Sequence, residues 1–389
     1  MHYRAVMLDY RREPFRIFFP LGLIMGGTGM LPWVLFGSGY SHAWPGLAHS
    51  LIMTQGFLVA LAVGFLGTML PRRTRSAPLS GLELAVLAAA LVAVPVAAYR
   101  GFVSLAEAAF LTVLVTLAQY VGRALQRGAT TAPRRPPPSF VLLPLGVLLG
   151  ATGALLIILA DLGMARTWAF LLGRQLAQQG LMLGLLLALV PMLAPIIAHG
   201  SAPEPDAHDA ARARAWHLLA GLAFAASFPL ELFGSQRAGL LLRGLVCGVE
   251  LVVAGGLWRM GTKSGLHRWL FRLALWAVPL GLLAAGMVPE RRVQLSHVTY
   301  VGGLSLVAFA VAAHVTMLHT GAEALAERRP LLVVLAGLLT VSAGLVRVGA
   351  EGAPEHYLGA LTLAAVLWLA AAAMWAAFLV PRLLARRAS

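Results

Sequence analysis

Leu181-Met-Leu-Gly-Leu-Leu-Leu-Ala-Leu-Val-Pro-Met-Leu-Ala-Pro-Ile-Ile197 decides the fold. No residue in the stretch carries a charge. With its flanks the apolar run covers 168–198, whereas about 20 apolar residues already cross the hydrocarbon of a bilayer. The run therefore reads as a membrane helix, either tilted or broken at Pro191 and Pro195. Eleven similar runs lie at 15–37, 47–70, 81–99, 103–124, 139–162, 215–234, 238–258, 269–287, 294–318, 330–350 and 357–380. The third and fourth are divided only by Arg100-Gly101, the seventh and eighth only near Gly234-Ser235.

Composition agrees. Of 389 residues 59% are hydrophobic and 12% charged, and mean hydropathy is +0.82. Soluble domains are about 25% charged, so a soluble enzyme, a disordered chain and a nucleic-acid binder are excluded. The net charge of +15 would ordinarily raise nucleic acid as a partner. Here the arginines gather at the ends of apolar runs, as in proteins oriented across a membrane. The lipid bilayer is the expected partner. Cys247 is the single cysteine, which excludes an internal disulfide, a cysteine-based zinc or iron–sulfur site and a haem c attachment motif. The opening, MHYRAVMLDYRREPFR, does not read as a cleavable signal, so the first run is expected to remain as a helix.

With the N-terminus in the cytoplasm, twenty arginine or lysine residues, from Arg4 to Arg387, fall inside. Only Arg100, Arg166, Arg237, Arg291 and Arg292 fall outside. That bias supports twelve helices with both termini inside. The longest loop, Arg127 to Pro138, contains Arg134-Arg135-Pro-Pro-Pro and reads as a stiff cytoplasmic linker. No loop has room for a soluble domain, so residues 1–389 are expected to form one all-α, polytopic membrane domain. Helices two and ten share short matches: Leu47-Ala-His-Ser with Leu295-Ser-His-Val, and Thr68-Met-Leu with Thr316-Met-Leu.

Ionisable groups inside a membrane are costly and mark function or buried pairing. Candidates are Glu107, Asp161, Arg174, Glu231, Arg243, Glu250, Arg272 and Arg347. Arg243 and Glu250 stand two turns apart on helix eight, too far for a direct pair, so each is expected to pair with another helix. A buried ion pair holding the bundle is the leading reading, against proton transfer or substrate contact.

Of eleven histidines, six sit at or inside helix ends. His49 opens helix two and His297 opens helix ten, both from the outer side and at similar depth. His199, His217, His314 and His319 lie on the inner side. His314 and His319 are five apart, about 140° around a helix, and do not both point at one metal. Two histidines from different helices are a standard haem ligand set in a helical bundle. The competing reading bonds each imidazole to a backbone carbonyl. For the inner group, copper is the metal considered, with Met192 and Met317 as soft donors nearby.

Two segments carry a resemblance. The first is Pro14-Phe-Arg-Ile-Phe-Phe-Pro-Leu-Gly, His49-Ser-Leu-Ile-Met-Thr-Gln-Gly-Phe-Leu and Val63-Gly-Phe-Leu-Gly-Thr-Met-Leu-Pro-Arg. The second is Leu295-Ser-His-Val-Thr-Tyr-Val-Gly-Gly-Leu, closing with His314-Val-Thr-Met-Leu-His-Thr-Gly. Together they resemble the NnrS family of bacterial membrane proteins, with His49, His297 and His319 on the family's recurrent histidines. The chain departs where Ser50 and Leu51 follow His49 in place of an acidic residue, and where His314 replaces an arginine. The resemblance implies association with haem and copper and with nitric oxide response and denitrification. A more distant similarity is to the catalytic subunit of haem–copper oxidases. It rests on His49-Ser-Leu-Ile-Met on helix two and His297-Val-Thr-Tyr-Val on helix ten. Thr299 stands where that pattern has a second histidine, and helices six and seven lack the histidines of the oxidase copper site. Conventional oxygen reduction is therefore not expected.

The resulting expectation is a bacterial inner-membrane protein with haem b held by His49 and His297. A second haem or copper would sit at His199, His217, His314 and His319. Nitric oxide or another small gas is the ligand considered, and whether the protein is an oxidoreductase stays open. The alternative is a secondary transporter or ion channel using Glu231, Arg243, Glu250 and Arg272, with helices broken at prolines.

Overall fold

The computed structural model describes residues 10–131, 136–202, 206–259, 261–352 and 354–384. Arg4, Arg134, Arg135, Arg386 and Arg387, which contribute to the charge bias, lie outside them. Among the described residues there are helices and no strand. Eleven helices are long and apolar enough to cross a membrane. These are α1 (Phe15–Gly37), α2 (Gly46–Thr74), α3 (Gly81–Tyr99), α4 (Val103–Gln126), α5 (Pro138–Asp161), α6 (Thr167–His199) and α7 (His208–Gly234), then α9 (Leu266–Met287), α10 (Pro289–His319), α11 (Leu331–Gly352) and α12 (Pro354–Leu384).

The eighth apolar run is also helical. α8 comprises Gln236–Val249 and its continuation Glu250–Ala254. It holds Arg237, Arg243 and Glu250, three charges spread along its length. It runs antiparallel to α9. A Cβ on Gly286 would meet Leu241, one on Gly244 would meet Leu283, and one on Gly248 would meet Pro279. Its 14 residues and 5 more rise about 28 Å, close to the hydrocarbon thickness. The all-α polytopic membrane fold thus stands.

By internal contacts the chain forms two compact units. Unit 1 comprises Met1–Met25, Ser50–Leu189 and Glu204–Gly221; unit 2 comprises Gly26–His49, Val190–Pro203 and Leu222–Ser389.

In unit 1, α5 and α6 approach through small residues, the usual solution where lipid offers no hydrophobic drive to pair helices. A Cβ on Gly153 would fall 2.6 Å from the carbonyl oxygen of Gly173, and one on Gly173 would fall 2.7 Å from that of Gly153. Gly150 and Gly146, one and two turns earlier on the same face, meet Leu181 and Gly184. The Pro14-Phe-Arg stretch docks on the end of α2. Glu13 accepts hydrogen bonds from Arg16 Nε at 2.6 Å and Arg72 Nη2 at 3.3 Å, and Phe15 N donates to Thr68 Oγ1 at 3.4 Å. Asp161, at the end of α5, caps α4 by accepting from Ser104 N at 3.0 Å and Ser104 Oγ at 2.5 Å. Its role is a helix cap.

Several boundaries differ from the sequence reading. The fourth helix continues to Thr131, so the linker read from Arg127 begins as helix; residues 132–135 lie outside the described ones. The seventh begins at Ala207 instead of 215, because polar Asp209 and Arg212 lie on exposed helical turns. Pro191 and Pro195 do not break α6, which runs unbroken through both. A transmembrane proline leaves a carbonyl without its helical donor, and nearby groups can resatisfy the backbone. Ser139 Oγ donates to Ala188 O at 2.7 Å, next to the Leu187 carbonyl that Pro191 leaves without its helical donor. The irregularity in α6 lies earlier, as a wide π turn at Leu176–Gly180. Similar turns occur at Ile52–Leu58, Leu230–Gly234, Glu250–Ala254 and Val298–Ser305. The one at Leu230–Gly234 follows Pro229 directly.

Candidate functional site

His49 and His297 both belong to unit 2. His49 lies in the first turn of α2, three residues before its π turn at Ile52, and His297 immediately precedes the π turn of α10. Such insertions concentrate at functional sites because one extra residue re-aims the helix face beside it. His49 Nδ1 lies 3.0 Å from Gly29 O, and His297 Nδ1 lies 2.7 Å from Val293 O. A carbonyl oxygen only accepts, so in each ring Nδ1 carries the proton and donates it. The lone pair of each neutral imidazole is then on Nε2. Bonding to a carbonyl and binding a metal are thus compatible: the first orients the ring and raises its basicity for the second.

The two imidazoles lie within electrostatic range of each other, and the Arg347 guanidinium acts on both. Arg347 is hydrogen-bonded to Tyr357, and its Nη1 is buried without a hydrogen-bond partner. Trp33 meets His49 edge-on at 5.8 Å, Trp44 packs on Trp33 at 5.0 Å, and Tyr300 lies 6.3 Å from His297. Neither histidine is sealed from solvent-sized space.

The helical register separates residues 297 and 299. Thr299 is buried, its Oγ1 donates to Val278 O on α9 at 3.0 Å, and a Cβ on Gly281 would meet it at 2.5 Å. His297 faces the side shared with His49 and Arg347, whereas Thr299 faces α9. Two positions on a helix differ by about 200°, so both cannot serve the same site.

The four inner histidines do not assemble. Among the described residues no three His, Cys, Asp or Glu side chains converge on a possible metal position. His199 Nδ1 lies 3.3 Å from Thr262 Oγ1, and His319 Nδ1 donates to Val315 O at 2.8 Å. His217 is buried on α7 in unit 1. His314 instead finds His267, which sequence reasoning had left at a helix end. His267 Nε2 and His314 Nδ1 are 3.0 Å apart and the rings stack at 5.2 Å. Both are buried, and His314 Nε2 has no hydrogen-bond partner.

The membrane-depth charges are mostly bound to protein. Arg243 Nη1 lies 2.9 Å from Glu231 Oε2, its Nε donates to Ser227 Oγ at 3.1 Å, and its guanidinium covers Phe228 at 3.8 Å. This is the expected pairing of Arg243 with another helix. Arg272 donates to Arg259 O at 2.6 Å and Leu257 O at 2.5 Å. In unit 1, Gln55 Nε2 donates to the fully buried Glu107 at 2.8 Å, and Arg174 Nη2 donates to Ser50 Oγ at 3.3 Å. The braced Arg243–Glu231 pair argues against a transport pathway through these residues.

Fold and site together define a multi-pass helical membrane protein with imidazoles gathered at its helix ends. A family model described as NnrS protein matches residues 9–387, nearly the whole chain. The chain belongs to the NnrS family. No curated protein matches it.

Proposed function

We propose that this NnrS-family protein binds haem b between helices two and ten in the bacterial inner membrane, with His49 and His297 as its iron-binding histidines. One observation carries the reading. Two imidazoles from different helices come within electrostatic range of each other, each presenting Nε2 because Nδ1 is bonded to a carbonyl. The donor set fits a haem: two neutral nitrogen ligands, an aromatic wall and a guanidinium able to balance a propionate. With both axial positions filled a haem exchanges electrons, and with one open it binds a diatomic gas such as nitric oxide. Gly29 and Val293 fix the ring tautomers, Trp33 and Tyr300 flank the imidazoles, and Arg347 supplies positive charge.

The link to nitric oxide response and denitrification is carried over from the family resemblance. On the other side, the copper reading narrows to His314, whose buried Nε2 has no hydrogen-bond partner.

The test is the reduced-minus-oxidised visible spectrum of the purified protein, with His49→Ala and His297→Ala beside it. Sharp haem bands in the wild type, lost in both folded variants, are expected. A colourless, folded wild type after haem supplementation overturns the proposal. Elemental analysis of His314→Ala tests the copper site, which is expected to lose its metal without loss of the haem bands.

A further inference from the structure

A cavity of about 690 Å³ opens in unit 2 between the end of α6, the connection from α8 to α9 and the first turns of α9. Its charge is one-sided. Arg259, Lys263, Arg268 and Arg272 line it together with His199, and among the described residues no aspartate or glutamate does. Glu327 lies outside the lining, 3.9 Å from Lys263 Nζ.

The two guanidiniums of α9 are held in place by backbone carbonyls, with Glu327 acting on Arg268 from outside the lining. Arg268 donates through Nε to Ile197 O at 2.8 Å, and through Nη1 to Ala326 O at 2.9 Å and to Ser264 O. Arg272 bonds only the carbonyls of Leu257 and Arg259 among the described contacts. Carbonyl bonds fix the position of a guanidinium but leave its charge uncompensated, and positive side chains fixed before an anion arrives suit phosphate recognition.

Apart from Ser201, Thr262 and Ser264, the side chains of the remaining lining are apolar. Pro191, Ala194, Pro195, Val253 and Phe271 form the deeper wall. Trp269, in the lining, is exposed, and so is Trp258, on which the lining residue Arg259 packs at 4.6 Å. Exposed tryptophans at helix ends mark the headgroup level of a bilayer. Basic pockets between transmembrane helices at that level bind anionic headgroups.

We propose that this cavity is a binding site for a phosphate ester, with an anionic phospholipid as the ligand. The phosphate would meet the cluster of Arg259, Lys263, Arg268 and Arg272. The acyl chains would follow the proline-rich wall of α6. No reaction is implied, and the site does not depend on the haem reading.

The test is native mass spectrometry of the full-length protein released from nanodiscs of equal phosphatidylglycerol and phosphatidylcholine. The wild type is expected to retain phosphatidylglycerol in preference to phosphatidylcholine. Arg259→Gln/Lys263→Gln is the first variant because neither side chain bridges the surrounding backbone. It is expected to lose that preference by about fivefold per charge removed. Arg268→Gln/Arg272→Gln is expected to lose it further, and Arg100→Gln is expected to keep it. Millimolar inorganic phosphate added to the nanodiscs separates the sources. No displacement supports the lipid. Full displacement supports phosphate recognition but overturns the lipid as its source. Equal retention of the two lipids by the wild type overturns the proposal, as does an unchanged preference in a folded Arg259→Gln/Lys263→Gln protein.

Discussion

Arg243 is fully buried beside an equally sheltered Glu231. Removing either partner leaves the other charged in a site water does not reach. Breaking a buried pair in this way costs about 3–5 kcal/mol, most of it the penalty of the orphaned charge. Arg243 also covers Phe228, a cation–π contact worth about 2 kcal/mol when desolvated. Arg243→Met is therefore expected to destabilise the protein by about 4 kcal/mol, and Glu231→Gln by slightly less because Ser227 and Phe228 still hold the guanidinium. Arg243→Met/Glu231→Leu removes both charges and is expected to recover most of the loss, leaving a deficit of about 1 kcal/mol. Cys247 reports the outcome without engineering. It is the single thiol of the chain, is fully buried and lies one turn from Arg243 on α8. A thiol-reactive fluorophore labels it only as the helix opens. The labelling midpoint on heating is expected to fall by several degrees in each single variant and to return most of the way in the double. If the double variant loses as much as both singles together, the energy does not come from an orphaned charge, and the ion-pair argument fails.

Three further outcomes follow from the site and the packing. Arg347→Gln removes a positive charge near the proposed haem; a unit charge ~7 Å away at an effective dielectric of ~20 is worth about 2 kcal/mol. Since positive charge favours the reduced state, the midpoint potential should fall by on the order of 100 mV, and an unchanged potentiometric titration would remove Arg347 from the site. Thr299→His should add no haem ligand, because position 299 faces α9. It is expected to lower the Cys247 labelling midpoint through its clash with Gly281, whereas altered haem bands in a stable protein would contradict the register. Gly153→Leu drives a side chain into the backbone of α6, and overpacking of this kind costs about 1–3 kcal/mol or more. Detergent gel filtration should show aggregated or poorly folded protein, and a monodisperse variant of wild-type stability would refute the close crossing of α5 and α6.

Most of the fold was legible because membrane crossing has a direct signature. Each span needs a long uncharged run, and Gly81–Tyr99 and Val103–Gln126 separate at Arg100-Gly101 as read. The misreadings came from rules carried over from soluble proteins. Pro191 and Pro195 left a break open as one of two readings, but α6 stays helical through both. The polar start of α7 looked like a loop, although a helix can extend beyond the hydrocarbon at no desolvation cost. The π turns left no readable mark, since they depend on tertiary packing and not on composition.

The histidines divide along the same line. Counting depth from each helix end brought out His49 and His297, because both open their helices on one side. It missed His267, whose partner depends on how α9 and α10 pair. That partner follows from the turn between them. Antiparallel helices joined by a tight connection meet at residues equally far from its midpoint, here Glu290-Arg291. Gly281 and Thr299 obey that relation closely, and His267 and His314, some 33–35 Å along the helices at 1.5 Å per residue, still obey it. The same geometry fixes which side of α10 faces away from α9. Thr299 is committed to the α9 contact, so on this helix the proposed ligand is His297 and not position 299. The absence of a second histidine at 299 therefore does not weaken a site between helices two and ten, since that position looks into a different interface.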